Sequence, residues 1–390
     1  MNSLTILNKI LQKIQKTMAK KITSFTFDDI NAELSELNPL GSIMETSDFS
    51  EVTEWLDTGN YHLNACVSGS LFGGWPNNRS CSVAGPSGTG KTFLMLNTVR
   101  EAINMGYSVI YYDSEAAVDK DLMKKFNIDT TKVSYQPVNT VQEFRTSVTS
   151  ITKKMQEAKR GGAEIPKIMI VLDSAGNLAT QKEIEDAAAG SDKADMTRSK
   201  VLKSIFRIIM TPLADLKIPF LFTNHTYQSQ SFIPQQIAGG GTGPEYAASI
   251  VLMLNKAQLK DGAEKVGIIV TAKPAKNRFA KPTAIKFHLD FTKGMNKFVG
   301  LEQYATWDIC GVTRGIIDPK TKEKIKKDTA KTWICEHLDE VVANKDFFTE
   351  KVFNQQVLER IEKHIQPLFN YNTAGDDAGF DIDDVIDSED

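Results

Sequence analysis

At 390 residues the chain can hold one core of about 200–250 residues with smaller flanking pieces. Its apolar fraction of 41% and charged fraction of 24% are ordinary for a soluble globular protein. No apolar run approaches the ~20 residues of a membrane-crossing helix, which excludes such a span. The formal net charge is −3, but the last stretch carries Asp376, Asp377, Asp381, Asp383, Asp384, Asp387, Glu389 and Asp390 without a lysine or arginine. The rest of the chain is net basic, so a polyanion partner stays electrostatically open. Cys66, Cys81, Cys310 and Cys335 lie far apart and form no Cys-x-x-Cys pair, which argues against a zinc site or disulfide framework and for a reduced, cytosolic setting.

In chain order, Leu4, Leu7, Leu11, Ile14 and Met18 recur at spacings of three and four, with lysines between them. This predicts an amphipathic helix with a narrow seam, packed on its own domain or docked on a neighbouring subunit. Residues 20–60 are mixed and polar and read as a connection, so 1–55 is expected to be a helical, oligomerising region. From 56 to 300 short β-rich runs alternate with helical stretches. The predicted strands are 81–84, 108–112, 132–136, 167–172, 218–223, 250–255, 266–271 and 284–290. Several are continuously apolar, as parallel strands covered on both faces are. The last three follow one another without helices, which predicts an α/β core whose mostly parallel sheet is extended by an antiparallel edge. Residues 301–372 are Lys-rich and read as a small α-rich accessory region, with helices expected over 321–331 and 333–365. The acidic tail, 373–390, is expected to be disordered and a candidate DNA mimic.

The chemistry concentrates at three strand ends. Gly85-Pro86-Ser87-Gly88-Thr89-Gly90-Lys91-Thr92 fits Gly-x-x-x-x-Gly-Lys-[Ser/Thr] directly after a strand. Glycines let backbone N–H groups converge on phosphate oxygens, and the following helix directs its positive end at the same place. Lys91 is then expected to reach the β- and γ-phosphates of ATP, and the Thr92 hydroxyl to ligate Mg²⁺. The apolar run 167–172 delivers Asp173 to the metal side, most simply through water. The strand 108–112 runs into Asp113-Ser114-Glu115, where Glu115 fits either a general base or a loop cap, and spacing leaves both open.

These segments, with Asp173-Ser174-Ala175-Gly176-Asn177-Leu178, Asp195-Met196-Thr197-Arg198-Ser199-Lys200 and Thr223-Asn224-His225-Thr226-Tyr227 leading to Gly239-Gly240-Gly241-Thr242-Gly243-Pro244, resemble the RecA-type recombinases, most closely the phage-encoded UvsX branch. The similarity covers about residues 55–300. It implies a RecA-like P-loop core and an ATP- and Mg²⁺-dependent, DNA-stimulated ATPase. Such an enzyme forms helical filaments on single-stranded DNA and pairs it with homologous duplex in recombination, repair and replication, together with loader and single-strand-binding proteins. It also implies that Glu115 is the catalytic base, that His225 senses the γ-phosphate, and that Lys276 and Arg278 reach a neighbouring subunit's ATP. Residues 179–195 and 226–241 would be the two DNA-binding loops, with Lys182, Arg198, Lys200, Thr226, Gly239, Gly240 and Gly241 as contacts. Asp119 would touch the adenine edge. The family's adenine-stacking aromatic falls at Leu122, so stacking is not expected there. A hexameric helicase of the same core, or a non-hydrolysing recombination mediator, are the rival readings. The first predicts closed rings and unwinding, the second little DNA-stimulated turnover.

Overall fold

The computed structural model describes residues 25–190, 197–228, 236–238 and 243–371. The helix expected over Leu4–Met18, the acidic tail, and Gly239, Gly240 and Gly241 therefore lie outside the described residues. Two compact units divide the chain between Glu51 and Val52.

In the first unit α1 (Phe27–Leu37) forms where only a polar connection was expected. The local reason is a reciprocal cap: the Thr26 hydroxyl accepts from the Asp29 N–H while the Asp29 carboxylate accepts from the Thr26 N–H. Phe27, Ile30, Leu34 and Leu37 recur on one stripe of this helix, and all four are exposed.

The second unit begins with a short ribbon of β1 (Trp55–Leu56) and β2 (Trp75–Pro76), with α2 (Tyr61–Ser68) between them. The central sheet is built from β3 (Ser80–Gly85), β4 (Ser108–Asp113), β5 (Val133–Pro137), β6 (Ile168–Asp173), β7 (Phe220–Gln228), β8 (Gln236–Ala238), β9 (Ile250–Asp261), β10 (Glu264–Asn277) and β11 (Ile285–Asp290). Its order is β11-β10-β9-β3-β7-β6-β4-β5, with β8 paired antiparallel to β7. The strands from β9 to β5 run parallel, and β9, β10 and β11 form the antiparallel edge that their helix-free spacing predicted.

Alternation along the parallel strands feeds two cores. Val109, Tyr111, Met169, Val171 and Leu221 join one cluster, whereas Tyr112, Ile170, Leu172, Phe220 and Phe222 join the other. The first is covered by α3 (Lys91–Asn104) and the second by α5 (Val141–Arg160) and α7 (Arg198–Asp215), through Leu94, Val99, Phe144, Ile205 and Phe206. The shorter helices α4 (Lys120–Lys125), α6 (Gln181–Ala188) and α8 (Gly243–Ala247) follow β4, β6 and β8.

After residue 300 the expectation of an α-rich region fails. Beyond the single turn α9 (Trp307–Cys310), β12 (Val312–Ile317), β13 (Lys324–Lys326), β14 (Thr332–Cys335) and β15 (Val342–Ala343) form a four-stranded sheet, and only α10 (Gln355–Phe369) is a long helix. The stretch read as a helix over 321–331 is instead half of a hairpin. Asp318 accepts from the Lys320 and Thr321 N–H groups to make the turn, Lys322 takes a left-handed φ of 63°, and Ile316 then faces Ile325 across the strands. The buried face of α10, with Val357, Leu358, Ile361, Ile365 and Phe369, belongs to the same hydrophobic cluster as α2 and α3.

Candidate functional site

The phosphate loop is set by backbone geometry. Gly88 and Gly90 have φ of 71° and 88°, which disfavours any side chain, and a Cβ on Gly90 would stand 2.4 Å from Leu289 Cδ1. Thr89 is buried and its hydroxyl donates to the Pro86 carbonyl at 2.9 Å, closing the turn. Helix α3 starts at Lys91, so the unpaired N–H groups of its first turn open at the loop. The Lys91 ammonium is nearly buried and donates to the carbonyls of Gly85 and Pro86 at 2.9 and 3.0 Å. Burial pulls its pKa down, and the charge of Lys256 adds to this against the opposing pull of Asp173 and Glu115. A desolvated cation held mainly by neutral carbonyls gains strongly from an incoming phosphate.

Parallel pairing assembles the rest. The register sets Asp113 beside Asp173 and Gly85 beside His225, so four strand ends converge on one edge. Asp173 accepts from Thr92 Oγ1 at 2.7 Å and from the Tyr111 hydroxyl at 3.1 Å, and it bonds Thr223 as well. Thr92 and Asp173 thus touch, and a hydroxyl plus a carboxylate beside a phosphate loop is a donor set that suits Mg²⁺, with phosphate and water completing the shell. Asp113 accepts from the Glu115 and Val118 N–H groups at 2.8 and 3.2 Å, which turns the chain and presents Glu115 to the crevice.

Glu115 Oε1 lies 2.7 Å from His225 Nε2 and accepts from the Ser174 hydroxyl at 2.5 Å, while Lys91 Nζ stands 3.4 Å from His225 Nδ1. Lys91, His225, Glu115 and Ser174 therefore form one continuous chain of polar contacts. Burial raises the Glu115 pKa, but the Ser174 and His225 hydrogen bonds and the His225 and Lys91 charges outweigh it, so the carboxyl is held below its ordinary value. A base must be ionised to act, so with Glu115 in that role the acid limb of a pH–rate profile would follow this pKa. Ser174→Ala removes one of the lowering contacts, and its acid limb is expected to move to higher pH. A profile superimposed on that of the unaltered protein would count against Ser174 as a support of Glu115.

Beside the first turn of α3 lies a cleft of about 600 Å³, lined among others by Phe93, Leu122, Phe126, Phe291 and Gly294. Leu122 is there, as an apolar wall, and the exposed ring of Phe291 stands on the same cleft. Asp119 is not: it caps α4 by accepting from the Leu122 N–H at 2.7 Å, and it lines a different cleft with Met123 and Tyr135.

Lys276 and Arg278 sit elsewhere. They flank Asn277, which pairs with Ile250, itself opposite Cys81. That is the start of β3, roughly 13 Å along the sheet from Gly85 at ~3.3 Å per residue. Lys276 Nζ donates to the carbonyls of Tyr246 and Glu245 in α8 at 3.0 and 3.4 Å, and burial with the Arg278 charge lowers its pKa. Among the loop residues, Thr226 pairs with Ala238, so β7 runs on past His225 into a hairpin with β8. Lys182 is paired with Asp186 at 2.7 Å and Lys200 is exposed. Arg198 is held in its own chain, where its guanidinium donates to the Leu178 carbonyl at 2.8 Å and to that of Gly176.

Sequence reasoning passed over Asp113, Tyr111, Ser174, Thr223 and Phe291. Asp113 carried a usable signal, a carboxylate two residues before Glu115 at a strand end. The others become neighbours of the site only through strand pairing or long-range packing.

A mostly parallel sheet with a Gly-rich phosphate-loop sequence after β3, an acid at the end of β6 and a histidine on β7 beside them defines the P-loop NTPase fold of RecA-like architecture. The family model described as the RecA N-terminal domain matches residues 26–296. The chain is 30% identical over 286 residues to the recombination and repair protein of Enterobacteria phage T4, which covers 70% of this chain and 69% of that protein. It is 26% identical over 282 residues to Protein RecA of Paenarthrobacter aurescens (71% and 75% covered) and 28% over 267 residues to that of Streptomyces rimosus (67% and 67%). The chain belongs to the RecA family and is a recombinase of that family.

Proposed function

We propose that this RecA-family chain is a DNA-dependent ATPase that assembles as a helical homo-oligomer on single-stranded DNA and pairs it with homologous duplex. The observation that carries this reading is the contact chain Lys91–His225–Glu115, together with the fact that His225 lies on the strand that pairs with β8. One strand then joins the phosphate site to the second loop.

In this mechanism the loop 85–92 cradles the phosphates of ATP, Lys91 turns from the Gly85 and Pro86 carbonyls to the β- and γ-oxygens, and Thr92 and Asp173 would hold Mg²⁺. Mg²⁺ supplies charge neutralisation of the phosphates. Glu115 orients and deprotonates the attacking water. His225, drawn from Glu115 towards the γ-phosphate, transmits its presence along β7 to the loop at 226–241, raising the grip on DNA. The cleft of Phe93, Leu122 and Phe291 suits the purine base, whereas a role for Asp119 at the adenine edge has no support from its capping position. Lys200 is available to a DNA backbone. Lys182 and Arg198 must first give up their present partners. The exposed stripe of α1 supports residues 1–55 as the region that docks on the next subunit, and a repeated head-to-tail contact of that kind gives an open helix.

Electron microscopy with single-stranded DNA and a non-hydrolysable ATP analogue tests this. Filaments are expected from the unaltered protein and not from Lys91→Ala. Closed rings with unwinding of forked duplex would favour a helicase, and little turnover stimulated by single-stranded DNA a mediator.

A further inference from the structure

We propose that Lys256 is a positioning residue of the nucleotide site, whose ammonium group fixes the orientation of the Ser87–Gly88 peptide. The proposal rests on the reading of residues 85–92 as an ATP-binding loop. Ala84 pairs with Met253, so β9 continues beyond the end of β3 and carries Lys256 alongside the loop. An exposed lysine ordinarily leaves its strongly hydrated ammonium in water. This one instead donates to the Ser87 carbonyl at 2.7 Å, across 169 residues of sequence.

The peptide group explains what such a contact does. Carbonyl and following N–H point in opposite directions across a planar trans bond. Drawing the Ser87 oxygen outward to β9 therefore turns the Gly88 N–H inward, to the mouth of the loop where phosphate oxygens bind. Gly88 at φ 71° is free to hold that orientation, and its missing Cβ leaves the approach open: a Cβ there would lie 2.7 Å from Lys256 Nζ. Lys91 stands at the start of α3 and Lys256 on β9, and the charge of Lys256 is felt at Lys91. Lys256 thus acts through the loop backbone and adds positive field at the phosphates without needing to touch them.

The test is an equilibrium titration with ATP-Mg²⁺ and with AMP, alongside KM and kcat, for Lys256→Ala, Lys256→Arg and Lys91→Ala. Lys256→Ala is expected to weaken ATP affinity and raise KM about tenfold, as loss of a charge-assisted hydrogen bond does, with kcat within about twofold and AMP binding unchanged. Lys256→Arg is expected to restore the affinity. Unaltered ATP affinity in Lys256→Ala, or an equal loss in the arginine variant, overturns the proposal. If Lys91→Ala loses ATP while Lys256→Ala does not, only Lys256 is misassigned. If Lys91→Ala itself binds ATP normally, the reading of the loop fails with it.

Discussion

Replacing Lys276 and Arg278 together by alanine is expected to lower DNA-stimulated ATP turnover by about 10³-fold or more, the scale on which a cation supplied by another subunit acts in phosphoryl transfer. The ground is positional. Both residues sit where β10 ends, beside the start of β3, while the phosphate loop lies beyond the end of β3. Within one chain they lie at the far end of β3 from their own nucleotide site, and Lys276 rests on the carbonyls of α8. An open head-to-tail assembly would bring that end of one subunit to the phosphate end of the next. The decisive measurement mixes two inactive proteins. A Lys91→Ala subunit cannot use ATP but carries both cations, and the doubly substituted subunit holds ATP without them. Turnover in the mixture well above that of either protein alone is expected. A mixture as inactive as its parts would remove the proposed role in trans.

The second large effect is expected at Glu115. Exchange for glutamine keeps the shape and the hydrogen bonds available to Ser174 and His225 but removes the basic carboxylate. Turnover should fall by roughly 10²–10⁴-fold, the usual contribution of a positioned base. ATP binding should persist, because Lys91, Thr92 and Asp173 are untouched. DNA-bound filaments formed with ATP should then outlive those of the unaltered protein if, as proposed, hydrolysis releases DNA. Turnover within a fewfold of normal would reduce Glu115 to the loop-capping residue that its spacing also allowed.

The single contact chain through His225 gives these two results a common meaning. In the structure His225 holds Glu115 and lies next to Lys91, so a phosphate entering the loop would compete with Glu115 for the imidazole and with the imidazole for Lys91. Under the proposed function that competition would be the physical route by which nucleotide state reaches β7 and the strand paired with it.

Much of this site was legible in the amino-acid order because its rules are local. A phosphate loop needs glycines at positive φ, a lysine and a hydroxyl within eight consecutive residues, and Gly85–Thr92 supplies them without reference to any other part of the chain. Parallel strands buried on both faces are apolar throughout, which is why β3, β4, β6 and β7 could be located closely. The antiparallel edge followed from three strands too closely spaced for crossover helices. Two segments misled for the opposite reason. Lysines on an exposed hairpin satisfy the polar pattern of a solvated helix, so the sequence of 321–331 reads as helix, whereas the Asp318 turn and the Ile316–Ile325 pair make it the β13 arm of a hairpin. The capping box of α1 occupies only four residues and was lost in a polar stretch.

Sequence by itself therefore determined the phosphate loop, the strands that carry it and the family, since each depends on neighbours a few positions apart. Tertiary structure alone decided which side chains meet: Ser174 and His225 on Glu115, Thr223 and Tyr111 on Asp173, and Lys256 on the Ser87 carbonyl. It also set Lys276 and Arg278 at the far end of the sheet. The reason is that strand order and register, which fix those distances, are chosen by packing two cores at once, and no short stretch of residues records that choice.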